Sequence, residues 1–307
     1  VPLDPSYRPI LDTLEASGVL PLSQWTAPQA REVYRQVSFG RRGPDFIAEQ
    51  VDKVENRVVP GPGGDIPVRV YTPADDRGRV LTFVHGGGWV IGDIDTHDPQ
   101  CRRIANAVGA VVVSVDYRRA PEHPYPAPLD DVMAALAWTA ANYPDRPLVV
   151  GGDSAGGNLS AAAALRARDE GPVLAAQLLI YPAVDPSSSM PSVVANGSGY
   201  FLTGEDLVWF IDQYLPDPSM RTEPTADLIN ADLAGLPPTV IATAEFDPLR
   251  DEGDAYANRL RECGVEVRHF PGPGQIHGFF AFAPGVPSAA ALREDMLAAL
   301  SDLLDPS

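Results

Sequence analysis

The chain has 307 residues, 45% of them hydrophobic, and a formal charge of −18. That length and apolar content suit one large α/β domain with an insertion, or two small domains, and exclude wholesale disorder. So acidic a chain repels nucleic-acid phosphates and anionic membrane faces, which removes both as natural partners. Residues 7–17 and 30–37 carry apolar side chains at helical spacing (Ile10, Leu11 and Leu14 in the first), and Thr26 with Pro28 marks the start of the second. From Val54 the apolar period becomes two. Residues 54–59 and 66–71, separated by the glycine-rich stretch 61–64, predict an antiparallel strand pair.

Strands and helices then alternate. Residues 80–84 predict a short apolar strand, followed by a glycine-rich loop and a helix near 99–108. Residues 110–115 are almost wholly apolar, as a strand buried on both faces should be. A proline-rich loop, 121–128, leads into a helix at 129–140, then a strand at 148–152 and a helix at 155–168. Three more strands follow at 174–180, 239–244 and 265–270, with a helix at 252–262 and a last one at 289–300. Eight strands mostly alternating with helices predict a doubly wound α/β sheet. The stretch 187–233 breaks the rhythm with an apolar helix candidate at 205–214 in loop-rich sequence, and is expected to be an inserted lid.

Gly152-Asp153-Ser154-Ala155-Gly156 fits the Gly-x-Ser-x-Gly nucleophile elbow, with a strand before it and a helix after it. Such a turn lifts the serine Oγ above the sheet at a helix N-terminus, where free amides favour developing negative charge. His85-Gly86-Gly87-Gly88 follows the strand 80–84, and its glycines expose successive backbone amides. Gly86 and Gly87, joined by Ala155, are the candidate oxyanion donors. His85 is expected to order this loop by a hydrogen bond, and Asp153 to brace neighbouring loops.

In this fold the triad runs Ser, acid, His. Only His269 and His277 follow Ser154. His269 lies inside a strand, whereas His277 follows Pro271-Gly272-Pro273-Gly274, which reads as a turn, so His277 is the candidate base. Asp247, just beyond a strand, is the candidate orienting acid, with Asp185 and Asp251 as rivals. The pocket candidates are Trp89 and Phe279 beside the catalytic loops, and Phe201, Leu202, Trp209 and Phe210 in the lid.

The two cysteines, Cys101 and Cys263, make no disulfide framework and have no metal-ligand spacing, which points to a reducing, cytoplasmic compartment. Residues 1–20 show neither the basic start nor the apolar run of a signal peptide, and no stretch is long and apolar enough to anchor the chain in a bilayer. No dinucleotide-binding Gly-x-Gly-x-x-Gly follows the first strand, and the chemistry requires no cofactor or metal.

The chain resembles the bacterial hormone-sensitive-lipase-like (family IV) carboxylesterases, in the branch with a Gly-Asp-Ser-Ala-Gly elbow. The resemblance is carried by HGGGW from His85, DYRRAPE from Asp116, GDSAGGNL from Gly152, Tyr181-Pro182 with Asp185, DPLRDEG from Asp247, and HGF from His277. It implies an α/β-hydrolase fold, mostly parallel and eight-stranded, with a helical cap. It implies the triad Ser154, Asp247 and His277, oxyanion donors at Gly86, Gly87 and Ala155, and hydrolysis of short- to medium-chain carboxylic esters by water. The expected organisation is cap helices at 1–50, a first core part at 51–186, a cap insertion at 187–233 and a second core part at 234–307. Gln275 departs from the methionine of many relatives, at a place that touches pocket shape. Asp116 and Arg118 are expected to pair within a structural network. Homodimers are common in the resembled family. An amidase or peptidase using the same triad is the alternative reading, and a non-catalytic binding relative the lesser one, since all three triad candidates and the glycine loop are present.

Overall fold

The computed structural model describes residues 1–16, 21–42 and 46–305; Ser17, the expected end of the first helix, lies outside them. The strands are β1 (Lys53–Gly61), β2 (Gly64–Thr72), β3 (Arg79–Val84), β4 (Ala110–Val115), β5 (Leu148–Asp153), β6 (Ala176–Ile180), β7 (Thr239–Phe246) and β8 (Val267–Ile276). They form one sheet in the order β1-β2-β4-β3-β5-β6-β7-β8. β1 and β2 are antiparallel to each other, β2 is antiparallel to β4, and every later pair is parallel.

Apolar side chains on both faces of the central strands explain the layering. Along β3, Val80 and Val84 enter one core layer while Leu81 and Phe83 enter the other. α4 (Ala127–Asn142), α5 (Ala155–Glu170) and α8 (Arg250–Glu262) pack on the first face; α3 (Asp98–Val108) and α10 (Pro287–Leu304) pack on the second. α5 carries alanines from Ala161 to Ala164, all buried, so its backbone approaches the sheet closely enough to seat the turn before it. None of the helices described is long and apolar enough to cross a membrane.

One local expectation is corrected. Pro271-Gly272-Pro273-Gly274 is not a turn but the second half of β8, paired with β7 from Val267 to Ile276 across a register irregularity at Ala244/Phe246. Two prolines are tolerated because β8 is an edge strand, with one side free of ladder bonds. The longer strand is what carries His277 level with the end of β7.

Above the strand ends lies a helical cap. α1 (Arg8–Ala16) and α2 (Ala27–Gly40) supply its N-terminal part; α6 (Pro191–Ala195) and α7 (Gly204–Tyr214) come from the segment between β6 and β7. The parts are tied together: Leu22 N–H donates to Asp206 Oδ1 at 2.9 Å, and Ser23 Oγ to Glu205 Oε1 at 2.5 Å. A short helix, α9 (Phe279–Phe282), follows β8.

Candidate active site

Ser154, Asp247 and His277 each stand one residue past the carboxyl end of a strand, β5, β7 and β8 respectively. That is the end of an open α/β sheet where ligands bind. Phe246 pairs with Ile276, so Asp247 and His277 leave adjacent strands side by side. Ser154 has φ 56° and ψ −121°, a left-handed backbone that costs a non-glycine residue about 1–3 kcal/mol. The surroundings enforce it: a Cβ on Gly152 would strike Val84 O and Gly156 O, and one on Gly156 would strike Val84 O and His85 O. Ser154 N–H donates to Ile180 O at 2.9 Å, which pins the turn to β6.

The three side chains form a connected line. His277 Nδ1 lies 2.7 Å from Asp247 Oδ2, and His277 Nε2 lies 3.0 Å from Ser154 Oγ. A carboxylate oxygen can only accept, so Nδ1 donates and Nε2 presents its lone pair to the hydroxyl. Asp247 is fully buried, and its other oxygen accepts from Leu249 N–H at 2.9 Å. The rivals are occupied elsewhere. Asp251 accepts from Ser192 N–H, Asp185 from Ser187 N–H, and His269 stands against Thr243 and Asp254.

A cavity of about 570 Å³ opens over Ser154 and His277, beneath the cap. Trp89, Phe201, Leu202 and Phe210 line it. Two pocket candidates stand outside that lining. Trp209 packs beside Phe210 but does not line the cavity, because one step along α7 turns it away from the wall made by Leu207 and Phe210. Phe279 is fully buried in the core under the site, edge-on to Tyr181, and likewise does not line the cavity.

The glycine loop also differs from expectation. Gly86 N–H donates to Asp153 Oδ1 at 2.9 Å, so that amide is spent on holding the loop and is not free to meet an oxyanion. Gly87 and Gly88 line the cavity beside Ser154 and Ala155 instead, and their amides meet no acceptor among the described residues. A side chain on Gly88 would collide with the Phe210 ring, at a backbone with φ +56°. The signal that distinguishes the three glycines is the register of Asp153, which no local pattern reveals.

A family model described as alpha/beta hydrolase fold matches residues 81–281. Carboxylesterase NlhH of Mycobacterium tuberculosis is 43% identical over 98% of this chain and 96% of its own length. The ethyl acetate hydrolase of Pseudomonas putida is 35% identical over 90% and 92%. A hyperthermophilic esterase from the archaeon Pyrobaculum calidifontis superposes with a TM-score of 0.93 at 40% identity, covering 99% of each chain. The chain belongs to the hormone-sensitive-lipase-like α/β-hydrolases. It is a serine carboxylesterase.

Around its site the esterase buries several ionisable groups. His85 Nδ1 lies 2.8 Å from Gly86 O, and burial followed by the neighbouring His97 holds its pKa well below the ordinary value, so it is neutral. Burial alone would raise Asp153, but His97, 3.4 Å away, and the Gly86 amide outweigh it and keep the carboxyl below its usual range. Asp116 and Arg118 do not pair. Arg118 meets the buried Asp131 at 2.8 Å, reaching across to α4, while Asp116 lies 3.9 Å from Arg119. Gln275 takes the Tyr7 hydroxyl at 2.6 Å and donates to Ser288, joining the chain start to α10 away from the cavity wall.

Glu252 was not anticipated from sequence as a site residue. Fully buried in α8, it accepts Val184 N–H at 2.7 Å and Asp185 N–H at 3.2 Å. It thereby fixes the loop whose Ala183 N–H meets Ser154 O. Burial raises its pKa well above 4.5, and the two amides offset this only in part. Below about pH 4.5 the folded and unfolded chains both bind this proton and its stabilising contribution is complete. As pH rises the unfolded chain releases the proton first, so that contribution is lost up to the raised folded value. The urea midpoint of the esterase minus that of Glu252→Gln is therefore expected to fall as the pH is raised above about 4.5. A difference independent of pH would show that Glu252 is not the group responsible.

Proposed function

We propose that Ser154 is the nucleophile of this carboxylesterase, His277 its general base and Asp247 the acid that orients the imidazole. The observation that carries this reading is the unbroken line from Asp247 Oδ2 through His277 to Ser154 Oγ, at 2.7 and 3.0 Å. His277 takes the Ser154 proton as Oγ attacks the ester carbonyl, then gives it to the departing alcohol as the tetrahedral intermediate collapses to an acyl-enzyme. Water, deprotonated by the same imidazole, releases the acid. The amides of Gly87, Gly88 and Ala155 are the proposed oxyanion donors, with Gly86 and Asp153 holding their loop. The elbow Gly152-Asp153-Ser154-Ala155-Gly156 supports assignment to the Gly-Asp-Ser-Ala-Gly branch. Nothing in these steps calls for a cofactor.

The proposed substrates are short- to medium-chain esters. A capped cavity of about 570 Å³ has room for a small acyl chain, and residues 1–50 and 187–233 are the proposed cap over the core segments 51–186 and 234–307. The ethyl acetate hydrolase among the relatives points the same way. A cytoplasmic location is supported by Cys101 and Cys263, which are both free thiols. Among 4-nitrophenyl esters, kcat/KM is expected to peak between the acetyl and hexanoyl chains. It should then fall at least about ten-fold by the palmitoyl ester, which must displace the cap. A maximum at palmitoyl, measured with monomeric ester, would overturn the capped-pocket reading while leaving the triad untouched.

A further inference from the structure

Arg41 stands immediately after α2 and lines the cavity that holds Ser154. Its guanidinium carbon lies 5.3 Å from the centre of the Phe201 ring and 4.7 Å from that of Phe282. Burial lowers its pKa, and the groups that partly offset this are the phenols of Tyr34 and Tyr181, which also line the cavity. Its side-chain partners are neutral hydroxyls: a long hydrogen bond to Ser38 Oγ, 3.4 Å, and the Tyr34 phenol.

Its neighbours are used differently. Arg31 pairs with Glu122, Arg35 pairs with Asp93 and Asp95, and Arg42 donates to the carbonyls of Asp95 and Thr96. Among the described residues Arg41 alone of these four has neither a carboxylate within 4.0 Å nor a carbonyl acceptor. Carboxylates of the same cavity do not fill the gap. Asp153 is held by Gly86 N–H and His97, Asp206 accepts from Leu22 N–H and the Thr203 hydroxyl, and Asp12 and Glu15 are exposed at the rim. A half-buried guanidinium set among aromatic rings without a counter-ion gains most from an anion that enters the cavity beside it. Tyr181 links the position to the reaction, since its ring centre is 4.7 Å from that of His277.

We infer that Arg41 is a specificity residue that selects esters carrying a second, ionised carboxylate a few bonds from the ester group. The inference rests on the cavity being the substrate site. A planar guanidinium fork suits a carboxylate through paired N–H···O bonds, whether it sits on the acyl side (a monoester of a dicarboxylic acid) or on the alcohol side (an acylated hydroxy acid).

The test compares each carboxylate ester with its neutral isostere. Monoethyl adipate is set against the same ester with its free carboxyl as a carboxamide, and O-acetyl-lactate against O-acetyl-lactamide. Each pair is run with the intact enzyme, Arg41→Gln and Arg41→Lys. The intact enzyme is expected to favour the carboxylate in at least one pair. Arg41→Gln should reduce that ratio of kcat/KM by about 10- to 100-fold, mainly through KM, and Arg41→Lys by less. The pair that responds identifies the side on which the carboxylate lies. The same ratio in Arg41→Gln as in the intact enzyme overturns the inference. So does preference of the intact enzyme for the amide in both pairs, a result that holds even when neither variant folds. Loss of the triad reading registers separately, as 4-nitrophenyl butyrate hydrolysis surviving in Ser154→Ala.

Discussion

Ser154→Ala is expected to lower kcat for 4-nitrophenyl butyrate by about five to six orders of magnitude and to leave the fold intact. The hydroxyl is the only group removed, and its one side-chain partner among the described residues is His277 Nε2, at 3.0 Å. The backbone that strains Ser154 is fixed by Gly152, Gly156 and the bond to Ile180 O, none of which the substitution touches. Thermal unfolding should therefore shift by only a few degrees while turnover disappears. Residual activity above the background rate of the ester would come from the oxyanion amides and binding alone, about 10³–10⁴-fold over water. Activity within ten-fold of the intact enzyme would remove Ser154 as nucleophile. His277 would then have to act on a different hydroxyl or directly on water.

Much of this architecture was legible because its determinants are local. β3, β4 and β5 are short apolar runs bounded by turn residues, and they form where the sequence predicts them. The proximity of Ser154, Asp247 and His277 was legible for a related reason: each follows a strand, and in a parallel sheet strand ends fall on one edge. What escaped depends on partners far away in sequence. Pro271 and Gly274 look like turn residues until the topology makes β8 an edge strand. Gly86 looks equivalent to Gly87 until Asp153, 67 residues on, takes its amide. Trp209 and Phe210 are adjacent aromatics in one apolar helix, and only the docking of α7 against the glycine loop decides which of them reaches the cavity. Arg118 finds Asp131 on α4 because the loop between them folds back, a feature that spacing within DYRRAPE does not contain.

Asp247→Asn is expected to reduce kcat by about 10⁴-fold with little change in KM, whereas Asp185→Asn and Asp251→Asn should each cost far less. The argument concerns which nitrogen of His277 carries the proton. Asp247 Oδ1 is committed to Leu249 N–H at 2.9 Å, and Asn196 Nδ2 donates to the Asp247 carbonyl at 3.1 Å, so the residue is held in place from two directions. In the asparagine variant the amide oxygen keeps the Leu249 bond, which turns the NH₂ group toward His277 Nδ1. That nitrogen must then accept, its proton moves to Nε2, and the ring faces Ser154 with a donor where the reaction needs a lone pair. Burial gives the amide no water to turn toward, since Asp247 is fully buried. Raising the pH should recover little, because the tautomer is set by the amide and not by protonation. Asp251 and Asp185, whose oxygens serve Ser192 and Ser187 amides, exert no such control over the imidazole. A loss for Asp251→Asn equal to that for Asp247→Asn, with both proteins folded, would mean that the acid has been misassigned.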